Sequence, residues 1–368
     1  MKFTCEKAIL YAAISTVSRS VSSKSAIPAL EGILIQADGN LTLTGYNMET
    51  AITATVDAEV LEPGVCVMTT RIFSEIIRKL PDEYVVVQVD PNYKVSVRCG
   101  ISSFTFTAMS AEEYPSIPSV EYEKSISIPS SQLKGLISGT LFATSTNVAR
   151  PILTGCKFEV ETDSITCIAV DGYRMAIRSY TPEKLIGRTE EFVIPAKGLR
   201  EVERSLEDTD DEVTFTIGDK HVLFQINGIQ IICRRLEGAF LNWRQVLSNA
   251  GSPTAITVNV QEIVNCADRV SLIIDDNAKS PIRCLFDANR LEMSTASTIG
   301  TARDECSAAG DGHELEVGFN SMYLLDALRA IPDEETVMEL SDSVNPLFLT
   351  PCDGTKRYIY MVLPVRIQ

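Results

Sequence analysis

Leu41-Thr-Leu-Thr-Gly-Tyr-Asn-Met-Glu-Thr-Ala-Ile52 and Ile165-Thr-Cys-Ile-Ala-Val-Asp-Gly-Tyr-Arg-Met-Ala-Ile177 follow one strand, turn, strand pattern, and Leu291-Glu-Met-Ser-Thr-Ala-Ser297 follows it more faintly. Aligned on Thr44, Val170 and Thr295, the three segments lie 126 and 125 residues apart. The helix-ending positions Leu80, Leu206 and Ile331 are separated by the same two steps. Two independent markers give one period, and a repeat of this length in 368 residues is a domain-sized unit present three times.

Outward from that pattern, each repeat has the same order of elements. An amphipathic helix opens it, at residues 6–20, 131–145 and 261–274; in the first, Leu10, Ile14, Val17 and Val21 recur at the spacing of one helix face. A second helix is expected at 71–80, 197–206 and 321–331, the last two behind Pro195 and Asn320 as starters. Alternating strands follow as pairs: 83–89 with 94–98, 212–217 with 222–226, and 336–340 with 358–362. The loop-like stretches 112–118 and 237–244 link one repeat to the next. The expected fold class is α+β, with two helices packed on antiparallel sheets in each of three domains, 1–123, 124–252 and 253–368.

With 45% apolar and 22% charged residues the composition is ordinary for a globular protein, which excludes disordered and low-complexity classes. No apolar run approaches the roughly 18 residues that a membrane span needs. Lys2 and Lys7 beside the apolar stretch 8–14 imitate a weak secretory signal, but Glu6 interrupts the basic region and no small-x-small cleavage site follows. The ten cysteines are never closer than 11 residues and form no CxxC pair. Cys167 and Cys233 sit in apolar strand-like runs, so the set reads as reduced core thiols of a cytoplasmic protein.

The 33 basic and 49 acidic side chains sum to −16, a total that taken alone argues against a nucleic-acid binder. Yet the charges are segregated. The six expected helices carry eleven cations (Lys7, Arg19, Arg71, Arg78, Lys79, Lys134, Lys197, Arg200, Arg204, Arg269 and Arg329) against seven anions, so the helices sum to about +4 and the remainder to about −20. A basic helical surface suits weak, sequence-independent contact with phosphates, and an acidic remainder repels DNA elsewhere. That combination fits a protein held on DNA by enclosure; solvated helix faces without a nucleic-acid role are the plainer alternative.

Patterns for catalysis are missing. The two histidines are His221, in an expected turn, and His313, in Gly310-Asp-Gly-His-Glu314. Adjacent residues such as His313 and Glu314 would point to opposite faces of a strand, which removes them as an acid/base pair. No phosphate-cradling glycine loop, GxSxG elbow or HExxH motif occurs, and no His/Cys cluster has metal-ligand spacing. Acidic runs such as Asp208-Thr-Asp-Asp-Glu212 read as solvated turns. No catalytic residue, metal or cofactor is expected.

Met1-Lys-Phe-Thr-Cys-Glu6, Ile27-Pro-Ala-Leu-Glu-Gly32, Thr70-Arg-Ile-Phe-Ser-Glu-Ile-Ile-Arg-Lys-Leu-Pro81, Val170-Asp-Gly-Tyr-Arg-Met-Ala176, Gly318-Phe-Asn-Ser-Met-Tyr323 and Met361-Val-Leu-Pro-Val-Arg366 occur together and in order. In these motifs the whole chain resembles the bacterial DNA polymerase III beta subunits, the beta sliding clamps. The resemblance implies a head-to-tail homodimeric ring around double-stranded DNA, with helices toward the DNA and continuous sheets outside. It implies a non-catalytic processivity factor, which tethers its polymerase and makes repeated rebinding effectively intramolecular. The implied partners are a second copy, DNA, the replicative polymerase alpha subunit, the clamp loader complex, and other polymerases and mismatch-repair or ligase proteins that carry clamp-binding peptides. The implied location is the bacterial cytoplasm, with no membrane contact. A specialised clamp paralogue serving repair or inhibitor resistance, and a cytosolic β-rich scaffold, stay open as alternatives.

By resemblance, partner peptides enter a groove between the second and third domains. Its positions here are Leu153, the run Asp171, Gly172, Tyr173, Arg174 and Met175, then Leu241 and Val246. The third domain adds Asn320, Tyr323, Val344 and Pro346, and the C-terminal Met361, Leu363, Pro364, Val365 and Arg366. Aliphatic walls with a few polar groups suit peptide anchoring, while 361–365 read alone is a last core strand. Leu241 stands where the family commonly has proline, and Tyr173 where some members have histidine. The implied DNA contacts are Lys24, Arg150 and Lys197, with Arg71, Arg78, Lys79 and Arg200 in a supporting field; Pro151 and Ile152 replace aromatic residues of some clamps. Ring closure is implied for Phe104 and Phe106 of one subunit against Leu272 and Ile273 of the other, covering strand edges otherwise left open.

Overall fold

The computed structural model describes every residue except Asp82, 122–124, Arg188, 248–253, 275–279, 311–313 and Gln368. The expected domain boundaries at 123/124 and 252/253, and His313, lie outside the described residues. Among the described residues the helices are α1 (Lys7–Ser18), α2 (Thr70–Lys79), α3 (Ser130–Leu141), α4 (Ala196–Ser205), α5 (Trp243–Leu247), α6 (Val260–Ser271) and α7 (Ser321–Arg329). All six expected helices are present. Each forms because a stripe of apolar residues needs burial: α1 buries Leu10, Ala13, Ile14 and Val17, and α6 buries Ile263, Cys266, Ala267 and Val270. α1 packs on α2 and α6 on α7. Asn259 and Asn320 start α6 and α7 by accepting hydrogen bonds from the backbone N–H of Glu262 (3.0 Å) and Tyr323 (3.1 Å).

Four local expectations are corrected. Residues 2–6 form the strand Lys2–Glu6, paired with Tyr84–Val89, and the helix begins only at Lys7. The stretch 237–244 is not all loop, because α5 starts at Trp243. His221 is not in a turn but opens the strand His221–Ile226, where burial, Arg234 and Lys220 push its imidazole pKa down. Finally, Glu335–Leu340 and Tyr358–Val362 are not neighbours, since Leu347–Thr350 lies between them and pairs with both. That inserted run is too short to show a two-residue period.

The described strands make three antiparallel sheets, of five, eight and twelve strands. The chain divides into two compact units, residues 1–130 with 201–235 and residues 131–200 with 236–368. In the first unit the eight-stranded sheet runs through two repeats, because Ile229–Arg234 pairs with Thr50–Val56 and sets Ile231 opposite Ile52. Its core gathers Leu30, Tyr46, Val67, Tyr114 and Leu223. Arg19 of α1 pairs with Glu201 at 3.3 Å and donates to Ser205 at 3.0 Å. In the second unit the twelve-stranded sheet likewise runs through two repeats, joined where Arg174–Tyr180 pairs with Tyr358–Val362. Phe158, Phe286, Phe319, Tyr358 and Tyr360 are fully buried there. All ten cysteines are free thiols and only Cys352 is exposed, as the reading of reduced core thiols requires. Among the described residues no helix is long and apolar enough to cross a membrane.

Gly45 marks a close approach of α1 to the sheet: a methyl group there would meet the Val17 carbonyl oxygen at 2.1 Å. Gly45→Ala is expected to lower unfolding stability by about 1–3 kcal/mol through overpacking. Gly300, which faces open space, is the control: Gly300→Ala should shift stability by less than about 0.5 kcal/mol. Chemical denaturation of the two variants checks both.

Candidate functional site

The turn 170–174 joins the strand Ile165–Val170 to Arg174–Tyr180. Asp171 Oδ1 accepts from the backbone N–H of Tyr173 (2.8 Å) and Arg174 (3.0 Å), and Gly172 takes a φ of +97° that other residues rarely adopt. Asp171 Oδ2 is then free to hold Arg174 Nε at 3.0 Å, while Arg174 Nη1 reaches Asp326 of α7 at 2.6 Å. The buried guanidinium also lies 4.5 Å over the Tyr323 ring and 5.5 Å over Phe142. Tyr173 turns outward, 60% exposed, and stacks on Tyr323 at 5.7 Å. Burial, reinforced by Asp171, raises the Tyr323 phenol pKa. The Tyr173 carbonyl accepts from Leu363 N–H (2.9 Å) and Gly318 from Val365 N–H (2.8 Å), which lays the C-terminal segment alongside this turn.

Leu153, Met175, Val246, Met361 and Leu363 meet in one apolar cluster, with Met175 directly opposite Met361 in the ladder. Residues 361–365 are therefore only partly a core strand: the strand ends at Val362, and Val365 and Arg366 are exposed. Leu241, Val344 and Pro346 are not members of that cluster, and Asn320 acts as the cap of α7. Val344 is 77% exposed on a loop held by Asp342, whose Oδ1 accepts from Val344 and Asn345 N–H at 2.8 Å each. Those bonds keep the Asp342 carboxyl below its usual range. The cluster also contains residues that the sequence reading missed: Ile168, Val170 and Ile177 beneath, Phe348 and Ile359 beside, and Phe240, Trp243 and Leu247 from the link and α5. Alternation along 165–177 was the signal for the first three; nothing in the sequence pointed to Phe348.

The candidate DNA contacts are sorted by their partners. Lys24, Arg71, Arg150, Lys197 and Arg200 are exposed and make no ion pair with a described carboxylate. Lys197 and Arg200 stand three residues apart on α4, hence on one face. Arg78 and Lys79 are exposed too, but share Glu75 at 2.8 and 3.8 Å. Arg19, Arg204, Arg269 and Arg329 are likewise ion-paired, so the helical field is narrower than the charge count suggested. Phe104 is 40% exposed on Ser102–Thr107, an edge strand that among the described residues pairs only with Lys94–Cys99; Phe106 leans inward, 6.4 Å from Phe73. Leu272, directly after α6, is 81% exposed and Ile273 is half-buried.

Known proteins match the chain along its whole length. Three family models match in order: DNA polymerase III beta subunit N-terminal domain over residues 1–118, central domain over 127–242 and C-terminal domain over 248–366. The chain is 32% identical over the full length of both proteins to the beta sliding clamp of Bacillus subtilis strain 168. The solved structure of a Bacillus subtilis DNA polymerase sliding clamp superposes with a TM-score of 0.95 at 31% identity, covering 100% of each chain. A putative DNA polymerase III beta subunit from Eubacterium rectale superposes at 0.94 with 30% identity, covering 99% of each. The chain belongs to the beta sliding clamp family. It is a DNA sliding clamp of three clamp domains, and the repeat of about 125 residues is the clamp domain itself.

In this clamp a buried polar network anchors α5 beside the apolar cluster. Glu159, 3% exposed, accepts from Trp243 Nε1 at 3.0 Å, and Lys157 and Arg244 each lie 2.7 Å from it. Arg244 also covers the Trp243 ring at 4.2 Å. Burial by itself would raise the Glu159 pKa, but hydrogen bonds from Lys157 and Trp243 and the charges of Lys157 and Arg244 outweigh it, and the carboxyl ends below its usual value. A carboxyl lowered on folding adds stability above its unfolded pKa of about 4.3 and loses it as pH falls through the folded value. Glu159→Gln is therefore expected to be destabilised relative to wild type at pH 7, with the gap closing below about pH 4. Denaturant titrations across pH 3 to 8 test this, and a gap independent of pH would exclude the ionised form as the stabilising species.

Proposed function

We propose that two copies close head to tail into a ring around double-stranded DNA and tether the replicative polymerase alpha subunit through the groove on the second unit. The clamp loader, other polymerases and repair or ligase proteins carrying similar peptides compete for that groove. The chain itself performs no chemistry and works in the bacterial cytoplasm, with domains at 1–123, 124–252 and 253–368. The observation that carries the ring is a pair of open strand edges, one on each unit. Ser102–Thr107 has a free edge beside exposed Phe104; Thr301–Gly310 pairs with Arg290–Ala296 along 301–307 and with Thr254–Asn259 only at 308–310, beside exposed Leu272. Open edges invite pairing, and a head-to-tail dimer removes both at once.

DNA would then be held by topology. Unpaired Lys24, Arg150 and Lys197 supply weak phosphate contacts while the net charge of −16 discourages other binding. The peptide groove offers an apolar floor of Leu153, Met175, Val246 and Met361, walled by the Tyr173–Tyr323 stack.

Light scattering should give a mass near twice 40.4 kDa, and a clamp loader should place the protein on nicked circular DNA, from which it escapes once the circle is linearised. A monomer that is never trapped sinks the ring. Reversing Lys24, Arg150 and Lys197 together to Glu is expected to cut loading by roughly tenfold or more at unchanged mass; undiminished loading removes the DNA role of these three. Deleting residues 364–368 should weaken a polymerase-derived peptide by roughly tenfold and leave the dimer intact, as fluorescence anisotropy would read, and normal peptide binding refutes the groove.

A further inference from the structure

One side of the apolar cluster opens into a second cleft of about 390 Å³, floored by Val337, Leu247, Phe348 and Ile359, with Cys352 and Lys356 at its mouth. Leu247, Phe348 and Ile359 belong to both compartments. The ladder shows why: Met361 is opposite Phe348 and Phe348 opposite Glu339, so one row of side chains crosses from groove floor to cleft on a single sheet face. Val337 and Thr350 form the next row on that face. Neighbouring strands lie about 4.8 Å apart, so two extended residues, about 7 Å, carry a bound peptide from one compartment to the other.

Charge selects what enters. Glu339 lines the cleft, and Glu335, Asp333 and Asp353 act on the Cys352 thiol, whose pKa is raised by burial first and by these carboxylates next. On the basic side, Arg357 is taken up by Asp333 (2.6 Å) and Asp353 (3.3 Å), leaving Glu339 and Glu335 against the single charge of Lys356. An apolar side chain with a basic neighbour is the complementary occupant.

We infer that this cleft is a second subsite of the partner groove, taking an aliphatic residue and an adjacent lysine or arginine from the segment that flanks the anchor residues of a clamp-binding peptide. This rests on the groove reading above and adds to it a position outside the resemblance-derived set. It makes affinity depend on flanking sequence, and lets partners with equal anchors be ranked by their flanks.

The test uses the full-length protein and three synthetic peptides: the clamp-binding segment of the replicative polymerase, and that segment extended by Leu-Lys at either its N- or its C-terminus. One extension should bind roughly five- to tenfold tighter than the short peptide, the gain from burying about half of one aliphatic side chain. Replacing its Leu-Lys by Leu-Glu should abolish the gain without touching the protein. Cys352 is the one exposed thiol, so a bulky maleimide blocks the cleft selectively; the labelled protein should lose the gain and bind the short peptide unchanged. No gain from either extension, or a gain that survives labelling, overturns the subsite and leaves the groove standing. Failure of the short peptide to bind overturns both.

Discussion

Backbone hydrogen bonds between Arg174–Tyr180 and Tyr358–Val362 fix Met175 opposite Met361 and Ile177 opposite Ile359. Almost everything at the candidate groove is downstream of that register. A slip of one residue would turn Met361 toward the face now filled by Tyr358 and Tyr360, and Met175 would lose its partner. The cost would be high, since both tyrosines are fully buried and Tyr360 donates to the Ala330 carbonyl at 3.0 Å. Register is thus set on the inner face of the sheet, and the outer face inherits its apolar cluster from it.

Charged groups near this ladder do different work from those on the helices. Arg174 bridges Asp171 and Asp326 while buried, an arrangement whose net stabilisation is small because desolvation offsets attraction, but whose geometry is exacting. It holds the glycine turn and α7 in one relation, so the Tyr173–Tyr323 stack keeps its place. The Glu159 network does the same for α5 and the link before it. By contrast Lys24, Arg150 and Lys197 are exposed and pair with no described carboxylate, which leaves them available for the phosphate contacts proposed above.

The repeat, the helices and most strand pairs were legible because they are written in periodicity: stripes such as Leu10, Ile14 and Val17, and alternation such as Tyr84–Val89. The exceptions are instructive. Leu347–Thr350 was missed because four residues carry no readable period, and with it went Phe348, which joins the apolar cluster to the cleft. α5 was missed because a single turn shows no stripe. Groove positions such as Leu153, Met175 and Met361 came only through resemblance, since a side chain lining a site and one filling a core have the same chemistry. The Arg174–Asp326 contact spans 152 residues and leaves no local trace. The helix cations were countable, but which of them are neutralised depends on neighbours in space.

The strand Tyr358–Val362 is the fifth from one edge of the twelve-stranded sheet, beside a strand made long before it. Its partner Arg174–Tyr180 is synthesised about 180 residues earlier. At ribosomal speeds on the order of 5–20 residues per second, that strand waits roughly 10 to 40 seconds with one side unpaired. The nascent chain therefore carries an exposed apolar edge for a time set by translation, not by folding. A message that ends before Tyr358 leaves it exposed for good, so a chain truncated there is a candidate for aggregation and chaperone capture.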